Sequence, residues 1–215
     1  MTAPRSGRAA IEYALRGPLA GAGWSPRASG WFTMVARPGF DAVLAVSTAS
    51  RHAAAGEAQA TVHVGLRVDH IERQVAGLLA VPDEGYRSRT ITVPIGEIIS
   101  NGSWTEWLVT PSNAGDVADE IATTVESQVR PYLLRLASEP ERQIEGIRRS
   151  ASWSQTTGRT RLVVASAAND QVDDALVALA EWNSELGDRS DLAAHHGREA
   201  IAVLQAWLAP AADSL

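Results

Sequence analysis

The residues best suited to chemistry in this chain are its histidines and arginines. His63 and Arg67 stand four apart in a run where Val62, Val64, Leu66 and Val68 alternate with Thr61, His63, Gly65 and Arg67. A period of two places the second set on one polar face of a strand. Arg87 and Arg89 stand two apart at the mouth of another alternating run, Arg89 to Ile95, in which Ile91, Val93 and Ile95 oppose Thr90 and Thr92. Guanidinium groups and an imidazole on one wet sheet face would suit an anionic ligand, with apolar walls and a few convergent polar groups. Such a face is more commonly the solvated side of a half-buried sheet. His195 and Glu199 fall on one face of a helix and could both reach a metal ion, but no third ligand is marked, and a solvated helix face is the better explanation.

The chemistries that are missing narrow the field further. There is no cysteine, so disulfides, thiolate nucleophiles and Cys-ligated metal sites are excluded. All 19 basic residues are arginine, which removes Schiff-base lysines and the lysine of a phosphate-binding loop. No serine lies in a Gly-x-Ser-x-Gly elbow, and no glycine-rich loop of phosphate-binding spacing follows a strand. Asp173-Asp174 and Glu139/Glu141 pair carboxylates, but both pairs open helices, where acids favour the positive end of the dipole. No residue is assigned a catalytic role, and no cofactor or metal is called for.

Seven tryptophans exceed ordinary usage, and tryptophan is enriched at binding hot spots. Core is the default for each of them. Trp107 and Trp153 are the candidates for partner contact. Trp104 and Trp107 point to opposite faces of one strand, and Trp153 lies in the polar stretch from Ser150 to Thr160. Trp182 and Trp207 fit the seam of a helical pair.

The elements that must position these residues follow from periodicity. Ile11, Leu15 and Leu19 predict a helix over Arg8–Leu19, stopped by Gly21 and Gly23. Strands are expected at Trp31–Ala36, Asp41–Thr48, Thr61–Val68, Arg89–Ile95 and Trp104–Val109. A helix capped by Asp69 should run to Leu79. Beyond Pro111 the pattern turns helical: Val117, Ile121, Val125 and Val129 form a stripe that Pro131 should kink or restart. A further helix is expected from Ser138 to Ser150. Leu162–Ala165 is too short to assign to helix or strand. Asp170–Leu186, closed by Gly187, and Asp191–Leu208, closed by Pro210, read as a C-terminal hairpin. The order predicts one α+β domain over 1–215: an N-terminal helix and a mostly antiparallel sheet of four to five strands in 1–110, one face covered by helices, and a helical region in 111–215.

The net charge of −6 argues against nucleic-acid and anionic-membrane partners. Glu12 and Arg16 interrupt the one stretch that could form a signal-peptide core, and no apolar run is long enough to span a membrane. A cytoplasmic protein is expected.

The helix end Leu19-Ala20-Gly21-Ala22-Gly23-Trp24, the aromatic strand at Trp31-Phe32, Leu44-Ala45-Val46-Ser47, Val62-His63-Val64-Gly65-Leu66, Arg87-Ser88-Arg89-Thr90-Ile91, the Trp104…Trp107 strand and the helix from Gly115 occur in an order that resembles an uncharacterised bacterial family, domain of unknown function 4304. The resemblance covers about residues 8–150 and rests mostly on hydrophobic punctuation. Tryptophan stands at position 24, where that family usually has phenylalanine. Such families are similar to immunity proteins of bacterial toxin systems. The resemblance therefore implies a protein-binding module that neutralises a partner, and it carries no catalytic residues. An acidic inhibitor would suit a basic toxin domain, since complementary fields speed association. The alternative reading is a small-ligand or enzymatic site on the polar sheet face, built from His63, Arg67, Arg87 and Arg89.

Overall fold

The computed structural model describes residues 6–50, 53–99, 105–150 and 154–212. The chain forms two compact units. The first comprises Met1–Leu66 and Val93–Ala137, and the second Arg67–Thr92 and Ser138–Leu215. The expected α+β class is the observed one.

In the first unit, α1 (Gly7–Ala14) starts at Ser6, whose hydroxyl accepts from the Ala9 amide at 3.4 Å. The expected stripe of Ile11, Leu15 and Leu19 is fully buried. The single helix predicted there is two, because α2 (Arg16–Gly21) begins after a break at Leu15. Pro18 explains the break: it has no amide for the Ala14 carbonyl, and its ring crowds that carbonyl.

The strands are β1 (Ser25–Pro26), β2 (Trp31–Arg37), β3 (Phe40–Ala49), β4 (Ala58–Val68), β5 (Ile91–Pro94) and β6 (Trp107–Val109). They form one six-stranded sheet in the order β1-β2-β3-β4-β5, with β6 pairing the start of β4. β2 and β3 are an antiparallel hairpin, with Trp31 opposite Ala45 and Val35 opposite Asp41; the register shifts between Val35 and Arg37. Direct succession of strands allows this, since an antiparallel pair needs only a tight turn. At Gly30 a side chain is excluded twice. Its φ is +77°, and a Cβ would lie 2.7 Å from the Val46 carbonyl oxygen.

After β5 come the short α4 (Gly96–Ile99) and then α5 (Ala114–Thr124). Val117, Ile121, Val125 and Val129 are all buried, as their spacing predicts. The expected disturbance at Pro131 takes the form of a π turn over Val125–Val129, which leads into α6 (Arg130–Ser138). The Arg130 amide reaches back five residues to Val125. This widened turn stands just ahead of the proline, where the regular ladder could not continue.

In the second unit, α3 spans Asp69–Leu79, as predicted, and ends at Ala80 in the left-handed conformation (φ +51°). Asp69 does not cap it; its carboxylate is taken by Arg67. A single 3-10 turn, Gly85–Arg87, follows. α7 (Pro140–Arg149) has its proline at the first position, where the missing amide costs nothing. The run that periodicity left unassigned, Leu162–Ala165, lies inside α8 (Thr156–Ala168). Residues 160–166 of that helix are buried in succession, and α3, α7, α9 and α10 all pack against it. A helix enclosed on every side has no polar face, so it has no helical period to read. α9 (Val172–Leu186) closes at Gly187, as expected. α10 (Leu192–Ala212) runs past Pro210 rather than ending before it.

Candidate functional site

The predicted sheet-face residues do not share one environment. His63 is half-buried on β4 within the first unit; Arg67, Arg87 and Arg89 belong to the second. The even alternation of β4 predicts a wet polar face at Arg67. Arg67 is instead buried, at 6% exposure. Its Nε donates to Asp69 Oδ1 at 2.8 Å. Its Nη1 donates to Asp83 Oδ1 and to the Gly85 carbonyl, both at 2.8 Å, and to the Ser88 carbonyl at 3.2 Å, while Nη2 donates to Asp83 Oδ2 at 2.7 Å. A guanidinium has five N–H donors in a fixed fork, and here they organise the loop between α3 and β5. Burial alone would lower the pKa of Arg67, but its bonds to Asp83 and Asp69 outweigh that and raise it. The same bonds hold the Asp83 carboxyl below the usual range.

Arg87 is exposed, its guanidinium 5.7 Å from the centre of the Tyr86 ring. Arg89 is half-buried, and its pKa is pushed down by burial and then by the nearby charge of Arg161. Trp107 is a core residue at 7% exposure, with its indole N–H on Glu120 Oε1 at 2.8 Å; the next residue, Leu108, is the exposed one at 54%. As a surface for partner contact, Trp107 is therefore corrected to core: β6 turns it inward against α5. Trp153 lies outside the described residues, as does Trp104. Trp182 is buried, and Trp207 is half-buried.

A second charged centre carries no local sequence signal. Glu72 of α3 accepts from Arg161 of α8 through Nε at 2.8 Å and Nη2 at 2.9 Å, and from the Thr90 hydroxyl at 2.9 Å. Thr90 in turn accepts from the Val68 amide at 2.9 Å. Every member of this chain is satisfied and buried, which is the condition for a polar network inside a protein. It is a fastening, since both carboxylate oxygens are engaged.

His195 and Glu199 meet across one helical turn at 3.3 Å, both well exposed. No group of three or more metal-ligating side chains occurs among the described residues.

Two surface features of the second unit remain. Two adjoining hollows share Gln171. Glu139 and Glu141, at the start of α7, border one of them, and Asp170, Asp173 and Asp174, at the start of α9, border the other. Leu176 and Val177 follow on α9, 37% and 56% exposed. Elsewhere a half-open cavity of about 400 Å³ has Leu78, Leu79, Val81, Ala200 and Val203 as apolar walls and His196, Glu199, Thr156 and Thr157 at its edge. Sequence reasoning noted the acids only as helix starts and missed the cavity, whose walls come from three separated segments.

No helix among the described residues is long and apolar enough to cross a membrane. Comparison with protein-family models, with curated proteins and with solved structures finds no match to this chain.

Proposed function

We propose that the protein is a cytoplasmic, non-catalytic binding module that recognises a basic protein partner through the acidic face of its second unit. One observation carries this reading: two segments about thirty residues apart bring five carboxylates, Glu139, Glu141, Asp170, Asp173 and Asp174, to two hollows that meet at Gln171. Counted over the sequence, the second unit has 11 arginines and 16 acidic residues, a net of −5, against 8 and 9 in the first. Leu176 and Val177 supply apolar area beside those charges. Charged rims steer association, and a small apolar centre supplies affinity. The resemblance to the immunity-like family points the same way, to an inhibitor that masks a basic toxin domain.

The reading of a ligand or enzymatic site on the sheet face has less support. Its strongest cation, Arg67, spends its donors on Asp69, Asp83 and two loop carbonyls.

Tagged full-length protein captured from its host cells, with retained proteins identified by mass spectrometry, tests the reading. One stoichiometric partner of high isoelectric point is expected, released as salt is raised. An acidic partner, or none when the neighbouring genes are also expressed, would overturn it.

A further inference from the structure

We propose that the cavity between the end of α3 and the middle of α10 is a binding site for a small cationic amphiphile, an alkyl- or arylammonium compound. This goes beyond the protein-partner reading and shares no residue with the acidic face. The volume of about 400 Å³ falls in the range of small-molecule sites. Its walls are apolar. Val81 and Val203, both lining it, remain 42% and 40% exposed, so apolar surface stays open to solvent that a ligand would cover.

The head group follows from the charges. Among the described residues that line it, Glu199 is the one acidic side chain, and none is an arginine. Its neighbour across the helical turn is His195, an ion-pair partner only when protonated. The unit as a whole carries a net of −5. An ammonium would therefore sit at Glu199, with His196 and the Thr156 and Thr157 hydroxyls beside it, and its tail over Val81 and Val203. A carboxylate would be repelled from that position. A neighbouring hollow that shares Thr156 and His196 contains Arg189, whose charge is already met by Asp191 at 2.9 Å.

The test titrates the full chain with matched hexyl-, octyl- and decylammonium and with the carboxylates of equal length, below their aggregation concentrations, by calorimetry. Ammonium affinity should rise about two- to fourfold per added methylene until the cavity is filled. It should exceed that of the matched carboxylate roughly two- to fivefold, as expected for one exposed charge contact. Glu199→Gln should erase the head-group preference and keep the chain-length dependence. Val203→Arg, at an exposed helical position that leaves the core untouched, should abolish binding. Equal or tighter carboxylate binding, absence of chain-length dependence, a preference that survives Glu199→Gln, or binding that survives Val203→Arg would each overturn the proposal.

Discussion

Arg161 grips Glu72 with two nitrogens, at 2.8 and 2.9 Å, across 89 residues of sequence. The side chains are 11% and 2% exposed, so neither charge has water to fall back on. Removing one partner strands the other. Glu72→Ala or Arg161→Ala should therefore cost about 3–5 kcal/mol of folding stability. Glu72→Leu combined with Arg161→Met should recover most of that, since an apolar pair of similar volume needs no counter-charge. Denaturant unfolding of the three variants checks this. A double variant no more stable than either single one would contradict it.

The loop templated by Arg67 makes a prediction about acid. Asp83 is held below its ordinary pKa of 3.8 chiefly by its bond from Arg67. A group whose pKa is depressed by folding contributes stability that is fully present above the unfolded value and lost as pH falls through the folded one. Stability should thus decline below about pH 4, and Asp83→Asn should flatten that decline. Urea unfolding of both proteins between pH 2 and 6 measures the slopes. Equal slopes would remove Asp83 from the account.

Two glycines should behave differently. A Cβ at Gly7 would overlap the backbone carbonyl of Val109, which cannot swing away. A Cβ at Gly197 would lie 2.8 Å from Leu186 Cδ1, the end of a flexible side chain. Gly7→Ala should cost about 1–3 kcal/mol through overpacking. Gly197→Ala should come out near neutral, because the higher helix propensity of alanine, worth up to about 1 kcal/mol, offsets the shift of Leu186. Thermal unfolding ranks the two, and the reverse order would show that the α9–α10 contact is the more rigid.

These relationships show where sequence reading succeeds and where it stops. The alternation at Val62–Val68 identifies β4, and the fourfold spacing of Val117 to Val129 identifies the α5 stripe, because each pattern records one buried face. Periodicity cannot assign α8, because burial on all sides erases the period. Alternation gives the strand face on which Arg67 lies and not what covers it. The loop that covers it is folded by Arg67 itself. The acids at 139–141 and 170–174 read as separate helix starts, and only the tertiary fold sets them beside Gln171.

Charge reversal on the acidic face tests whether that face holds the partner. Wild-type protein and an Asp173→Arg/Asp174→Arg variant would be compared for retention of the captured partner at rising salt. Both positions are exposed at the first turn of α9, where losing acids should cost only about 0.3–1 kcal/mol each. The variant should fold, and it should lose the partner at a salt concentration where the wild type still holds it. Equal retention by the two proteins across the salt range would contradict it.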